Sequence, residues 1–345
     1  MDRGALAEAA GEAAYVVGGA VRDALLSRPV VDVDVACAAP AAAAETYARR
    51  AGGAVFPLSE RHGAWRVAFR DGRTVDFTPL RGTLQEDLAS RDFTANAMAE
   101  PVLGGELVDP FDGMRDLNGR TLRAVTDGIF LDDPLRLLRA VRLADELGFR
   151  LEARTEKLVR AHAELVTRPA GERILGELER MSAVAIRRLD DLGLLAPLGG
   201  DASRLDDRPT LGGDPRYPLV VVLREALLRL PVSNETRRFA RTLLGATAPV
   251  DGSPRSIHRF RRAVEPWALE ALAFVGAQEH EGAVRAARAA DPAEPLLRGD
   301  DLGIEPGPEV GRMLDLVEEE RAAGTISSRE EALALVERER AARSG

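Results

Sequence analysis

Along the first third of the chain, apolar and polar positions alternate over short stretches set off by turn residues, and beyond about residue 130 they recur with helical spacing. In "HGAWRVAFRDGRTVDFTPL" two such runs, near 64–70 and 73–78, flank Asp71-Gly72, so the stretch predicts a β-hairpin. "VVGGAVRDALL" predicts a strand, a glycine turn at Gly18 and Gly19, and a helix, and the valines of "VVDVDVA" predict another strand. "DDPLRLLRAVRLADELGF" predicts a helix with Asp133 as N-cap, Pro134 at the first helical position and Gly148 as the stop, burying Leu135, Leu138, Val141 and Leu147. Helical signals continue to the C-terminus. They are interrupted by the Gly/Asp/Pro-rich residues 199–217 and by the turns "APVDGSPRS" and "DLGIEPGPE", and they end in the amphipathic "SSREEALALVERERAAR". The expectation is an α/β head followed by an all-helical remainder.

Composition narrows the class. The 345 residues suffice for two or more domains with real cores, and the 45% of apolar residues contain no run long enough to cross a bilayer. The N-terminus lacks the basic start and apolar centre of a secretory signal. A lone Cys37 excludes an internal disulfide framework and suits the cytoplasm, and His62, His162, His258 and His280 lack ligand spacing for structural zinc. A net charge of −9 argues against indiscriminate nucleic-acid binding but leaves room for a local basic groove. Lys157 is the only lysine, so almost every positive charge is a guanidinium able to hold phosphate or a base edge in two places.

Within the head, Asp32 and Asp34 are two apart on a predicted strand and therefore share a face. Together with Asp76 on the neighbouring hairpin they suit divalent cations and nucleotidyl transfer; the plain alternative is an exposed edge strand with its acids in water. Gly18 and Gly19 at a helix entry, with Arg22 one turn in, suit a phosphate, or simply a tight turn. Asp133 and Arg136, three apart on a helix, place an acceptor beside a forked donor. That pair matches the pairing edges of cytosine and adenine and rejects those of uracil and guanine; the alternative is an N-cap with an ion pair. Arg139 and Arg142 continue the stripe, as a triphosphate site or a solvated face. "SPRSIHRFRR" clusters Arg255, Arg259, Arg261 and Arg262, along RNA phosphates or on a solvated helix.

The order "GGAVRD…DVD", "EDLASRDFTANAMA", "LVDPFDGMRDLNGRTLRAV", "DDPLRLLRAVRLADELGF" and "GERILGELERM" resembles the bacterial and eukaryotic class of tRNA nucleotidyltransferases, which includes CCA-adding enzymes and bacterial poly(A) polymerases. The resemblance covers about Tyr15 to Met181, and "LLRGDDLGIEPGPEVGRMLDLVEEERAAGTISSREEALALV" resembles the tail of the CCA-adding members. It implies an α+β fold: a mixed-sheet head related to DNA polymerase beta over 1–125, then an all-α neck (126–190), body (191–290) and tail (291–345). It implies Mg²⁺ held by Asp32 and Asp34, with Asp76 as the third catalytic acid. It also implies nucleotide contacts at Gly18, Gly19, Arg22, Arg91, Asp92, Asp133, Arg136, Arg139 and Arg142. The implied partners are the tRNA 3′ end, CTP and ATP, with no membrane and no DNA. The implied activity is template-independent addition of C and A; CC addition alone or poly(A) synthesis are alternatives, and a non-catalytic RNA-binding relative is a further one. Three features depart from the family pattern. Ser90 stands where an arginine is usual, Asp132 where glutamate is usual, and the link from Asp76 to Arg91 is shorter than the arm associated with terminal adenosine addition.

Overall fold

A first helix, α1 (Arg3–Ala10), leads into β1 (Tyr15–Val17), a glycine turn and α2 (Gly19–Leu25), the order that "VVGGAVRDALL" predicts. Gly18 bridges them with φ +75° and ψ −138°, a conformation that residues with a Cβ rarely adopt. The computed structural model describes residues 3–11, 13–59, 62–205 and 211–344. The chain divides into two units, residues 1–202 and 203–345.

The alternating run becomes β2 (Asp32–Cys37), followed by α3 (Pro40–Ala51), β3 (Ala54–Ser59), and the expected hairpin as β4 (Ala64–Ala68) and β5 (Thr74–Pro79). After α4 (Leu84–Ala89), β6 (Ala99–Pro101) completes a six-stranded mixed sheet in the order β3-β4-β5-β2-β1-β6. Only β2 and β5 run parallel, and their register sets Asp34 opposite Asp76 and Asp32 opposite Thr74. Side chains alternate across the pleat, so the sequence divides itself between two faces. Val33, Val35, Val75 and Phe77 are buried on one face, where the Tyr47 ring of α3 meets Phe77 at 5.7 Å. On the other, Val17 and Ala36 pack with Leu88 of α4, Ala97 and Ala99, while Asp32, Asp34 and Asp76 remain partly or fully exposed.

The first unit continues through α5 (Gly113–Asn118), β7 (Thr121–Leu122), α6 (Ile129–Asp132), α7 (Arg136–Leu147), β8 (Arg150–Leu151), α8 (Ala153–Ala161), α9 (Gly171–Leu178) and α10 (Ala183–Asp191). α7 starts two residues later than Pro134. Asp133 is extended (φ −142°, ψ 99°), and its carboxylate accepts from the Leu135 N–H at 3.2 Å, so it caps a turn that precedes the regular helix. Gly148 closes α7 in the left-handed conformation, as expected. The helix is buried far beyond one stripe: Leu137, Leu138, Ala140, Val141, Arg142 and Leu143 are all interior, because α9 and α10 pack on it as well.

The second unit is helical: α11 (Tyr217–Leu223), α12 (Asn234–Leu244), α13 (Pro254–Val264), α14 (Ala268–Val275), α15 (Glu281–Ala289), α16 (Pro308–Ala322) and α17 (Arg329–Ser344). Ile257, Phe260, Leu269, Leu272 and Val284 form one core, and Leu297, Leu302, Met313, Val317, Ile326 and Val336 a second. No described helix is long and apolar enough to cross a membrane.

Candidate active site

The parallel register brings three carboxylates onto one face, and each has different surroundings. Asp32, at the open end, accepts from the Thr74 hydroxyl at 2.7 Å. Asp76 is gripped by both arms of Arg66, from the adjacent strand, at 2.7 Å each. Asp34 lies between them: burial pushes its carboxyl above the ordinary range, Arg91 pulls it back, and the neighbouring charges of Asp76 and Asp32 push it further up. Gly18 adjoins the same spot, since a Cβ there would lie 2.9 Å from Nη1 of Arg91 and 3.4 Å from Oδ2 of Asp34. Among the described residues no three metal-ligating side chains converge on one point. A divalent cation still suits the pair Asp32 and Asp34, because magnesium takes one or two protein carboxylates and completes its oxygen shell from phosphate and water. Burial is the main cause of the rise at Asp34, and the repulsion from Asp76 and Asp32 that adds to it is what such an ion would relieve.

Beside Arg91 opens a cavity of about 370 Å³ lined by His62, Thr78, Arg81, Asp87, Ser90, Arg91, Asp92, Asp133, Arg136, Arg139 and Arg173, among others. The head contributes the residues up to Asp92, the start of α7 Arg136 and Arg139, and α9 Arg173. Asp92 is 6% exposed and is held below the ordinary carboxylate range. Burial opposes this charge, but Arg139, the Asn96 amide and the Phe93 N–H outweigh it. Arg139 places Nε and Nη2 on Asp92 at 2.9 and 2.7 Å, with Nη1 3.6 Å from Glu177.

Asp133 and Arg136 both line the cavity, but their side chains are not paired with each other. Asp133 is paired with Arg173 of α9 at 2.7 Å, and Arg136 donates to the Ser90 carbonyl at 2.7 Å and more weakly to that of Ile129. Burial opposes the Asp133 charge, yet Arg173, the Leu135 N–H and Arg136 keep its carboxyl below the ordinary range. Two arginines expected among the nucleotide contacts lie elsewhere. Arg22 is 6% exposed and donates to Asn96 at 2.7 Å and to Asp23, so it braces the glycine turn from beneath. Arg142 neither lines the cavity nor faces solvent; at 3% exposure it is an interior cation bound by Glu177 and Glu146. Arg66, Asn96, Arg173 and Glu177 were not singled out from sequence. Arg173 and Glu177 lie in "GERILGELERM", 40 and 35 positions from their partners Asp133 and Arg142, and only the folded packing reveals the pairings.

The basic cluster on α13 is neutralised. Arg255, Arg259 and Arg262 form ion pairs with Glu320, Glu319 and Asp315 of α16, in opposite order along two antiparallel helices, and Arg261 is taken by Asp291 and Glu265. It is an interhelical zipper and not an open phosphate track.

This head, with paired acids beside an arginine-lined cavity, is that of a nucleotidyltransferase. The family model for the poly A polymerase head domain matches residues 14–83 and 67–123. An A-adding tRNA nucleotidyltransferase of Deinococcus radiodurans is 33% identical over 419 aligned positions, covering 94% of this chain and 95% of that protein. A CC-adding tRNA nucleotidyltransferase of Geobacter sulfurreducens is 45% identical over 179 residues, 51% of this chain and 42% of its own length. The chain thus spans less than half of that relative but nearly all of the A-adding one. A Thermotoga maritima CCA-adding enzyme solved with tRNA is 25% identical, with a TM-score of 0.74 over 97% of this chain and 93% of that one. The chain belongs to the tRNA nucleotidyltransferase family.

Proposed function

We propose that the protein adds C and A nucleotides to the 3′ end of tRNA in the cytoplasm, without a nucleic-acid template, using CTP, ATP and Mg²⁺. The observation that carries this reading is the β2/β5 register, which sets Asp34 opposite Asp76, with Arg91, a lining residue of the cavity, acting on Asp34. Asp32 and Asp34 would hold Mg²⁺, which when bound supplies charge neutralisation at the triphosphate and activation of the attacking 3′ hydroxyl. Arg91 and Arg139 line the cavity as cations for the triphosphate, and Gly18 lets the chain approach it without a side chain. Asp76 completes the acidic face, fixed in orientation by Arg66. Asp133 offers an acceptor and Arg136 a donor to the base edge, the combination that cytosine and adenine share. Arg22, Asn96 and Asp92 tie the glycine turn to Arg139, and Arg142 backs Glu177 behind it. On this reading residues 1–125 are the catalytic head, 126–190 the neck, 191–290 the body and 291–345 the tail.

A second reading, addition of CC alone, is favoured by one feature. The link from Asp76 to Arg91 is a short turn and the capped helix α4, in which Thr83 and Glu86 satisfy each other's backbone N–H groups, in place of a long arm. Incubation with CTP and ATP on tRNA ending before CCA, and with ATP on tRNA ending in CC, separates the outcomes. Addition of all three residues supports the first reading, arrest at CC the second, and a long adenosine tract would point to a poly(A) polymerase. No extension of either tRNA would overturn the assignment.

A further inference from the structure

With the α13 arginines committed to α16, the cations left over in the second unit stand out. All the arginines of α13 and α15 have carboxylate partners. Arg229, which follows α11, and Arg237, Arg238 and Arg241 of α12 have none among the described residues. On α12, Arg237 and Arg238 lie four and three positions before Arg241, so their charges crowd one face and repel by a few tenths of a kcal/mol per pair. The only acid of that helix, Glu235, is already engaged by Arg216 at 3.1 Å. A folded chain with net charge −9 has carboxylates to spare, yet among the described residues none is paired with these arginines.

Two of these side chains are also held in place. Arg237 donates to the Leu228 carbonyl at 3.5 Å, beside Arg229. The Arg238 guanidinium lies 5.6 Å from the centre of the Trp267 ring, which itself meets the buried Phe239 edge-on at 5.4 Å. Arg238 remains exposed at this contact, and its guanidinium N–H edge is the kind of donor that takes phosphate in two places. Arg241 lines a groove of about 560 Å³ together with Val250, which is 94% exposed. Four residues of helix rise about 6 Å, close to the separation of neighbouring phosphates on one strand.

We propose that the ridge of Arg229, Arg237, Arg238 and Arg241 receives the phosphodiester backbone of a duplex RNA stem, reading its charge and not its bases. The proposal rests on the tRNA nucleotidyltransferase reading for the identity of the RNA. The test uses the full chain and labelled tRNA ending before CCA, with Kd measured from about 50 to about 200 mM salt. Replacing Arg238 and Arg241 with Gln should weaken binding at least tenfold at the low end and reduce the slope of log K against log salt by about 1.8, since each duplex phosphate contact contributes about 0.9. Arg238→Lys with Arg241→Lys keeps the charge and should restore most of the slope. Arg255→Gln with Arg259→Gln removes two zipper cations and should leave the slope unchanged while lowering the melting temperature. A parent slope in the α12 glutamine variant, or an equal loss in the α13 variant, overturns the ridge. At saturating tRNA the α12 variant should keep its kcat for CTP addition while its KM for tRNA rises. A parent protein that binds tRNA yet adds no nucleotide would sink the functional reading, and the salt slopes would still judge the ridge.

Discussion

Replacing Asp92 with Asn tests whether the buried charge chain behind the cavity holds the first unit together. In the folded protein Oδ1 of Asp92 accepts from the Phe93 N–H and the Asn96 amide at 2.8 and 2.9 Å, and Oδ2 takes both Arg139 contacts. Asn has the same shape but only one acceptor oxygen. Whichever way its amide turns, an NH2 group faces a donor, either Arg139 or the Asn96 and Phe93 pair. Breaking a fully buried ion pair costs about 3–5 kcal/mol. Arg139 keeps one third of its side-chain exposure and has Glu177 at 3.6 Å, so we set the loss lower, at about 2–3 kcal/mol. For a unit of this size each kcal/mol moves the melting temperature by about 2–4 °C, giving a fall of about 4–12 °C. Its pH dependence has a fixed sign. A carboxyl held below its unfolded value stabilises the fold above that value, about 3.9, and the contribution fades as pH falls through the lower, folded one. The gap between parent and variant should therefore stay constant from about pH 8 to about pH 5 and close in stronger acid. Thermal melts across that range provide the measurement. A variant that melts with the parent at neutral pH, or a gap that persists unchanged in acid, refutes the account.

Asp34 should behave in the opposite way, because burial and its acidic neighbours raise its carboxyl: without added Mg²⁺, Asp34→Asn should melt at or above the parent temperature while losing nucleotide transfer. A marked drop in melting temperature with normal turnover would contradict the metal assignment. Gly18→Ala should cost about 1–3 kcal/mol and displace Arg91, whereas Gly19→Ala, whose Cβ would meet only Arg22 at 3.4 Å, should stay within about 1 kcal/mol of the parent; equal melts would refute the strain argument. Asp133→Asn should preserve much of the cap at Leu135 but reduce preference for CTP over UTP by about ten- to a hundredfold, read as kcat/KM for single additions. Unchanged ratios would confine Asp133 to capping and to holding Arg173.

Local chemistry made much of the head legible. The hairpin across Gly72, the turn at Gly18, the shared face of Asp32 and Asp34 and the stop at Gly148 all follow from backbone preference and side-chain periodicity, which need no partner from elsewhere in the chain. Cations were misread wherever their partners are remote. Arg142 and the α13 cluster look like ligand-binding charge in one dimension, because Glu177, Glu319 and Glu320 lie 35 to 65 positions away. Asp133 and Arg136 look like a pair because they are three apart, yet α9 supplies Arg173 to the first and the Ser90 carbonyl takes the second. The late start of α7 has the same origin: Asp133 caps a turn, and periodicity does not distinguish that turn from the helix it introduces.

The α13 and α16 zipper carries a consequence for how this chain can change over generations. Each rung is a complementary pair, Arg255 with Glu320, Arg259 with Glu319 and Arg262 with Asp315. Reversing one charge sets like beside like, and reversing both restores the rung, so drift along these helices should proceed by compensated exchanges with the two signs trading places between relatives. Among the described residues, the arginines of α12 have no such carboxylate partner. On the proposed reading, the restraint on their charge comes from the fixed negative charge of the RNA, which no exchange of partners within this protein relaxes.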